Sequence, residues 1–339
     1  MTAKAVRRGA PGGFSWNLVV LVVGGLVFAV LPYILPAGEQ GVAVRTLIFA
    51  LLGVAWNLMS GVGGMFSFGH AAYFGIGAYT GAYLLVVHGI SPWAGMAVGA
   101  VLAAFFGVVT AFLSFRYKLK GAYFALATFA FAEMLRLLVS NLGVLNKTVG
   151  FNVQLIHGSS WVKLQFPAGS KLYYWIPLAL LALAVAVTIA LRGSRTGQYV
   201  MAVRDDEEAA SSLGVNVMRY KLTAVAISAA ITAATGVYYV QYYLYVNPDT
   251  AFGASVSIQA IVPAIIGGVG TLWGPVIGAL IVGPLSEATS SLLNNPPAVL
   301  AFLGGRNGLD VMLYAALLVV IVVFLPRGVY GSIRARLRP

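Results

Sequence analysis

The chain has 339 residues, 60% hydrophobic and 9% charged, with a net charge of +12 and a mean hydropathy of +0.90. Soluble domains are roughly 45–50% apolar, so an ordinary soluble fold is excluded, and the lack of cysteine excludes disulfides and thiolate-held metals. Apolar runs of about 18 or more residues recur, each long enough to cross a hydrocarbon core roughly 30 Å thick. The pattern predicts an all-α polytopic membrane protein of about ten transmembrane helices, some broken or re-entrant.

The tail 1–15 carries Lys4, Arg7 and Arg8. The apolar run after Trp16 is too long for a signal-peptide core, and no A-x-A cleavage site follows, so it reads as an uncleaved first span. The expected spans are 16–35, 41–59, 65–87, 92–114, 121–141, 173–191, 220–246, 255–269, 273–293 and 309–325; the eighth is short, ends in glycine and has a re-entrant alternative. Of the 21 Lys and Arg, 15 fall on one set of connecting segments and tails and 5 on the other, with Arg136 left inside a span. Positive residues concentrate on the cytoplasmic side, which puts both termini and the loop 192–219 inside and the loop 142–172 outside.

The segment from Gly61 to Tyr79 holds six glycines and His70. Its glycines, with Gly77 and Gly81 four apart, fit close helix packing. Ser67 and His70 need polar partners at this depth, either structural hydrogen bonds or a solute path. Glu133 and Arg136 stand at i and i+3 on one helix face, as a structural pair or as part of a polar path. Glu287 in the ninth span has the same two readings.

After the sixth span the chain is basic, then turns sharply acidic. Asp205, Asp206, Glu207 and Glu208 are four consecutive acids in a chain otherwise poor in charge. Local rules predict a short helix with Asp205 as N-cap and Glu208 completing a capping box. Asp206 and Glu207 fall in the first turn, where the helix dipole favours anions. Ala209 and Ala210 propagate the helix, and Gly214 is placed to end it. Lipid headgroups account for the basic part of this loop but repel the acidic part, which suits a partner protein. Further on, Gly270, Gly274 and Gly278 repeat at four-residue spacing, as a packing stripe does. The tail 326–339 is basic.

No P-loop, G-x-S-x-G or H-E-x-x-H pattern is present, and His70, His88 and His157 form no metal-ligand cluster with carboxylates. No basic–aromatic interleaving supports nucleic-acid binding. A transporter remains, either a permease driven by separate subunits or a self-contained secondary transporter or channel for a small neutral or zwitterionic solute. The second class usually couples to ions through ionisable groups in its spans, and only Glu133, Arg136 and Glu287 qualify here.

Glu208-Ala209-Ala210, three residues and then Gly214 resembles the E-A-A-x-x-x-G loop of ABC-importer permeases. G-G-M-F-S-F-G-H-A-A-Y-F-G-I-G-A-Y, ending at Tyr79, resembles the corresponding segment of LivM-type permeases of branched-chain amino-acid importers. Further similarities are Lys120 to Ala125, Phe131 to Arg136, the loop through Gly214, Asn216 and Lys221, the turn Gly267 to Pro275, and Leu325 to Gly328. The segment Asn146 to Asn152 departs from the family's glycine-rich outer turn, on the side that faces substrate delivery.

The resemblance implies an inner-membrane permease of a bacterium, carrying branched-chain or related amino acids or small amides. The chain would hold no cofactor, metal or catalytic residue; ATP and Mg would be bound by two partner ABC ATPase subunits. A second, LivH-type permease subunit and an extracytoplasmic binding protein would complete the system, with membrane lipids around it and no nucleic acid. Arg204, Asp205, Asp206, Glu207, Glu208, Ala209, Ala210 and Gly214 would form the helix that couples to the ATPase. Asn57, Ser67, Phe68, His70, Tyr73, Glu133, Arg136, Gly267 and Gly268 would line or gate the path.

Overall fold

A computed structural model of the chain describes residues 12–155, 158–167, 169–294, 328–330 and 332. Nearly all of both tails, His157 and the tenth expected span, 309–325, lie outside these residues. The fold is built almost wholly of helices: α1 (Gly12–Ile34), α2 (Ala37–Trp56), α3 (His70–His88), α4 (Pro92–Arg116), α5 (Ala122–Asn141), α6 (Leu172–Gly193), α7 (Arg195–Asp205), α8 (Glu207–Ser212), α9 (Val217–Tyr243), α10 (Pro248–Phe252), α11 (Ala254–Gly267) and α12 (Gly274–Asn294). The only sheet among the described residues pairs β1 (Phe151–Asn152) antiparallel with β2 (Tyr245–Val246).

Among the described residues, six helical stretches are long and apolar enough to cross a membrane: Glu39–Val62, Pro92–Arg116, Ala122–Asn141, Leu172–Gly193, Val217–Tyr243 and Pro248–Gly267. The ten expected spans therefore do not all stand as continuous apolar helices. The third shows why. Residues 63–69 are irregular, and α3 begins only at His70. That helix carries Tyr73, Tyr79, Thr80 and Tyr83 and has a histidine at each end, which lowers its hydropathy. The eighth expected span, 255–269, corresponds to the 14-residue α11, and the single turn α10 precedes it across Gly253 within the membrane-length stretch Pro248–Gly267.

Helices α3, α4 and α9 form the tightest part of the bundle, and small residues set their spacing. A Cβ on Gly77 would lie 2.1 Å from the carbonyl oxygen of Ala233 in α9, and one on Gly99 would lie 3.2 Å from the Cα of Gly77. Backbones this close gain dispersion contact that larger side chains would block. Helix α11 packs on α12 in the same way, with Gly278 against the Pro263 carbonyl. The expected stripe is thus only partly helical: Gly274 opens α12 and Gly278 packs inside it, but Gly270 lies in the preceding turn with φ +76°. Trp56, Tyr73 and Tyr238 are the largest fully buried side chains at the centre.

Candidate functional site

The segment between α6 and α9 is shaped by three successive caps. Ser194 accepts the Gly197 N–H at 3.1 Å and starts α7. Asp206, in extended conformation, accepts the N–H groups of Glu208 and Ala209, both at 3.0 Å, and starts α8. Asn216 accepts the Arg219 N–H at 3.0 Å and starts α9. Each cap satisfies amide donors that a helix start leaves orphaned. The cap of the acidic helix is therefore Asp206 and not the expected Asp205, which is the last residue of α7. Glu208 closes no capping box: with Asp206 as cap it stands at the second helical position and not the third, and the Asp206 N–H is bonded to the Ala202 carbonyl. The far end matches expectation: Gly214 sits at φ +82°, with its N–H bonded to Ser211 and that of Val215 to Ala210, a complete Schellman motif.

The four acids have separate duties. Asp205 accepts two bonds from Arg204, at 2.7 and 2.9 Å. Asp206 is spent on the cap. Glu207 turns onto the bundle and pairs with Lys221 at 2.8 Å and Lys120 at 3.4 Å. Partial burial pushes its carboxyl up, but the Lys221 hydrogen bond and the charges of Lys221 and Lys120 outweigh this and hold it below the usual carboxylate range. Glu208 remains exposed with Ala209 and Gly214, whereas Ala210 is buried against the bundle. Leu213, which ends α8, is 85% exposed; a leucine between polar residues signals nothing locally, so the sequence did not mark it.

Arg204, partly exposed, reaches back toward the bundle. Its stem crosses Gly64, and its guanidinium donates to the Gly61 carbonyl over 3.3 Å. Gly61 belongs to a π-helical turn, Asn57–Val62, that continues α2. Asn57, in the same turn, holds the α11–α12 connection: its side chain donates to the Thr271 carbonyl and accepts the Gly270 N–H, both at 2.7 Å. Arg192, at the end of α6, donates to the Gly270 carbonyl. Gly268, at φ +122°, gives this connection its turn, and Gly267 meets the Gly274 carbonyl closely. The joint thus ties α6, α7, the end of α2 and the start of α12. Insertions of the π kind concentrate at functional places in helices.

The other expected path residues divide. Asn57, Ser67, His70 and Tyr73 are at most 2% exposed and lie within the wall of the chain. Ser67 accepts the Gly69 N–H, and its carbonyl takes the Trp56 indole N–H. His70 Nε2 lies 3.0 Å from the Ser228 hydroxyl, which donates to the Ala55 carbonyl. Phe68 is 38% exposed, next to the equally exposed Phe66 in an edge-to-face chain from Trp56. Its backbone is pinned by Thr128 and Ser257.

Glu133 and Arg136 form the expected pair, with Arg136 donating to both carboxylate oxygens. Arg136 also bridges to Asp249 of α10 at 2.6 Å, a partner 113 residues away that no local pattern marks. Glu287 likewise pairs with Arg45 at 2.6 Å across α12 and α2. No group of three or more His, Cys, Asp or Glu is placed to hold a metal among the described residues.

A bundle of membrane-length helices with a capped polar loop on one end and glycine-built crossings defines the class as a polytopic helical membrane protein. Residues 40–324 match the family described as branched-chain amino acid transport system, permease component, and the chain belongs to that family. It is 26% identical to the LivM permease protein of the high-affinity branched-chain amino acid transport system of Escherichia coli K12, over 94% of this chain and 76% of that one. It is 29% identical to the LivH permease protein of Salmonella typhimurium, over 84% and 91%. A further relative is the L-arabinose ABC transporter permease protein AraH of Azospirillum brasilense, 25% identical over 86% of each chain. No solved structure matches. The relatives support the permease expectation and not the self-contained secondary transporter.

Proposed function

We propose that the chain is one of two membrane subunits of an ATP-driven importer for branched-chain or related amino acids, with α8 as the element that docks on an ATPase subunit. LivM and LivH relatives of the same chain support a LivH-type partner in the membrane. An extracytoplasmic binding protein delivers substrate at the end carrying the loop 142–172. Ten spans with both termini in the cytoplasm of a bacterium's inner membrane accommodate the charge bias.

The observation that carries this reading is the geometry of the 194–216 segment. Three side-chain caps and a Schellman motif hold α8 as a rigid projection whose outer rim is Glu208, Ala209, Leu213 and Gly214. It rests on the bundle through Glu207, paired with Lys221 and Lys120, and the adjoining end of α7 reaches the π turn through Arg204 and Gly61. Docking at the rim therefore moves a joint shared by α2, α6 and α12, so force enters without any chemistry in this chain.

Co-purification tests it. The wild-type chain is expected to bring down an ATPase subunit, and Glu208→Lys combined with Gly214→Val is expected to lose it while the membrane bundle stays folded. An ATPase that remains bound to the double variant removes α8 from the docking role. Uptake by the lone chain in vesicles, driven by an ion gradient without ATP, removes the importer reading altogether.

A further inference from the structure

Helix α4 starts at Pro92 and leads at its far end, through Lys120, to Glu207 of α8, so the α3–α4 corner lies at the end of the bundle opposite α8. From Trp93 to Arg116 the helix rises about 35 Å, against a hydrocarbon core of roughly 30 Å, which sets Trp93 at the membrane boundary. One face of α4 is exposed along its length, through Trp93, Ala97, Val101, Phe105, Val109 and Phe112. Their helical spacing, with no charge among them, is that of a side turned to lipid.

A small hairpin closes on that corner. Residues 160–165 fold back through the antiparallel bridge Ser160–Gln165, with amide bonds of 2.7 and 3.1 Å. Leu164, at φ +53°, turns the chain so that Leu164 and Phe166 are buried, while Trp161 and Val162 are 56% and 66% exposed. The tip is fixed in place: the Trp93 indole N–H donates to the Trp161 carbonyl at 2.9 Å, and the Ser91 hydroxyl donates to the Val162 carbonyl. Beside the tip, a hollow of about 230 Å³ is lined by Val86, Asn152, Gln154, Lys163 and Gln165. Lys163 thus joins the apolar tip to a hollow whose other walls carry amide groups.

Two indoles and a valine at the boundary, level with a polar hollow that holds an ammonium, match the two halves of a phospholipid. Tryptophan rings concentrate at headgroup level, where one end of the side chain is apolar and the other wet. Lysine near a membrane surface lays its stem along apolar groups and sets its ammonium among lipid phosphates. A tip standing in water would leave Trp161 and Val162 hydrated at a cost, whereas a tip continuing the lipid face of α4 buries both. That continuity favours lipid over a soluble protein, which would meet the bilayer directly beneath the tip.

We propose that the α3–α4 corner and the 160–165 hairpin form a phospholipid site in the leaflet opposite α8, with Trp93, Trp161 and Val162 at the acyl boundary and Lys163 on the phosphate. The site stands apart from the importer reading and does not depend on it.

The chain holds no cysteine, so a single introduced thiol reports alone. Nitroxide labels are placed on Val162→Cys at the tip, Phe105→Cys at mid-span and Leu213→Cys on α8. The full chain, in lipid nanodiscs with no ATPase added, is probed with oxygen, which enters the bilayer, and with a nickel chelate, which stays in water. The Val162 label is expected to meet the chelate several-fold less than the Leu213 label and several-fold more than the Phe105 label, with oxygen access in the reverse order. Equal chelate access at Val162 and Leu213 puts the tip in water and overturns the site. So does protection that arises only when an extracytoplasmic binding protein is added, which assigns the tip to that protein. The hollow is tested in detergent by titrating the Val162-labelled chain with short-chain phosphatidylglycerol and with inorganic phosphate. The lipid is expected to immobilise the label, phosphate neither to mimic nor to displace it, and Lys163→Gln to weaken the lipid by about tenfold, the loss of one charge-assisted contact. Displacement of the lipid by inorganic phosphate makes the hollow a free-anion site, and lipid affinity untouched by Lys163→Gln removes the headgroup contact; either result overturns the proposal.

Discussion

Asp205 and Asp206 are adjacent, identical in chemistry and opposite in use. The first neutralises Arg204 at the end of α7, and the second caps α8. Asp206→Ala is expected to cost α8 about 1 kcal/mol of local stability, read as faster hydrogen exchange at the Glu208 and Ala209 amides. Asp205→Ala leaves those amides as protected as before, and equal effects of the two variants would refute the assignment. Sequence alone could not choose between them, because any acid before the helix is an acceptable cap. What decides is that α7 is itself helical up to Asp205, so the chain can turn only at Asp206. Glu207 adds a pH dependence. Its carboxyl is held below its ordinary range, so its stabilising contribution is complete above the unfolded value and is lost as pH falls through the folded one. Protection of α8 is expected to decline as the medium is acidified below the usual carboxylate range, and Glu207→Gln is expected to flatten that decline.

At the scale of elements, close glycine crossings hold the bundle. A Cβ on Gly77 would fall 2.1 Å from a backbone oxygen of α9, which cannot swing aside as a side chain can. Gly77→Val is expected to lower thermal stability in detergent by about 1–3 kcal/mol, the cost of overpacking. Gly24→Val in α1, where nothing lies within 4 Å of an added Cβ, is the matched control and should not lower the transition. Much of this level was legible in the sequence: α5, α6 and α12 fall within about two residues of their expected bounds, and Gly77 was read correctly as a packing residue. The break after Trp56 was legible only as an excess of glycine. Its form depends on Asn57 reaching residues more than 200 positions away, and no local periodicity encodes that contact. The Arg136–Asp249 and Arg45–Glu287 bridges escaped for the same reason.

Across the whole molecule, these ion-paired charges gather at two ends. One carries Arg45, Glu287, Glu133, Arg136 and Asp249; the other carries α8 with Lys120, Lys221, Arg192 and Arg204. If force enters at α8, docking and transmission use different residues, and the two can be uncoupled. Glu208 and Leu213 face outward, so Leu213→Asp is expected to abolish ATPase co-purification. Arg204 is partly exposed and reaches back to Gly61 over a long bond, so Arg204→Gln costs only about 1 kcal/mol of fold stability. The ATPase should remain bound to that variant, while substrate-stimulated ATP hydrolysis falls several-fold, about what a coupling energy of 1–2 kcal/mol permits. Gly64→Ala reaches the same joint from the other side, since its Cβ would lie 2.4 Å from the Arg204 stem at a φ of +72°, and the same phenotype is expected. If Arg204→Gln instead releases the ATPase, the arginine belongs to the docking rim and the π turn is not the lever; if it changes neither binding nor stimulation, motion passes through α9 and the Glu207–Lys221 pair.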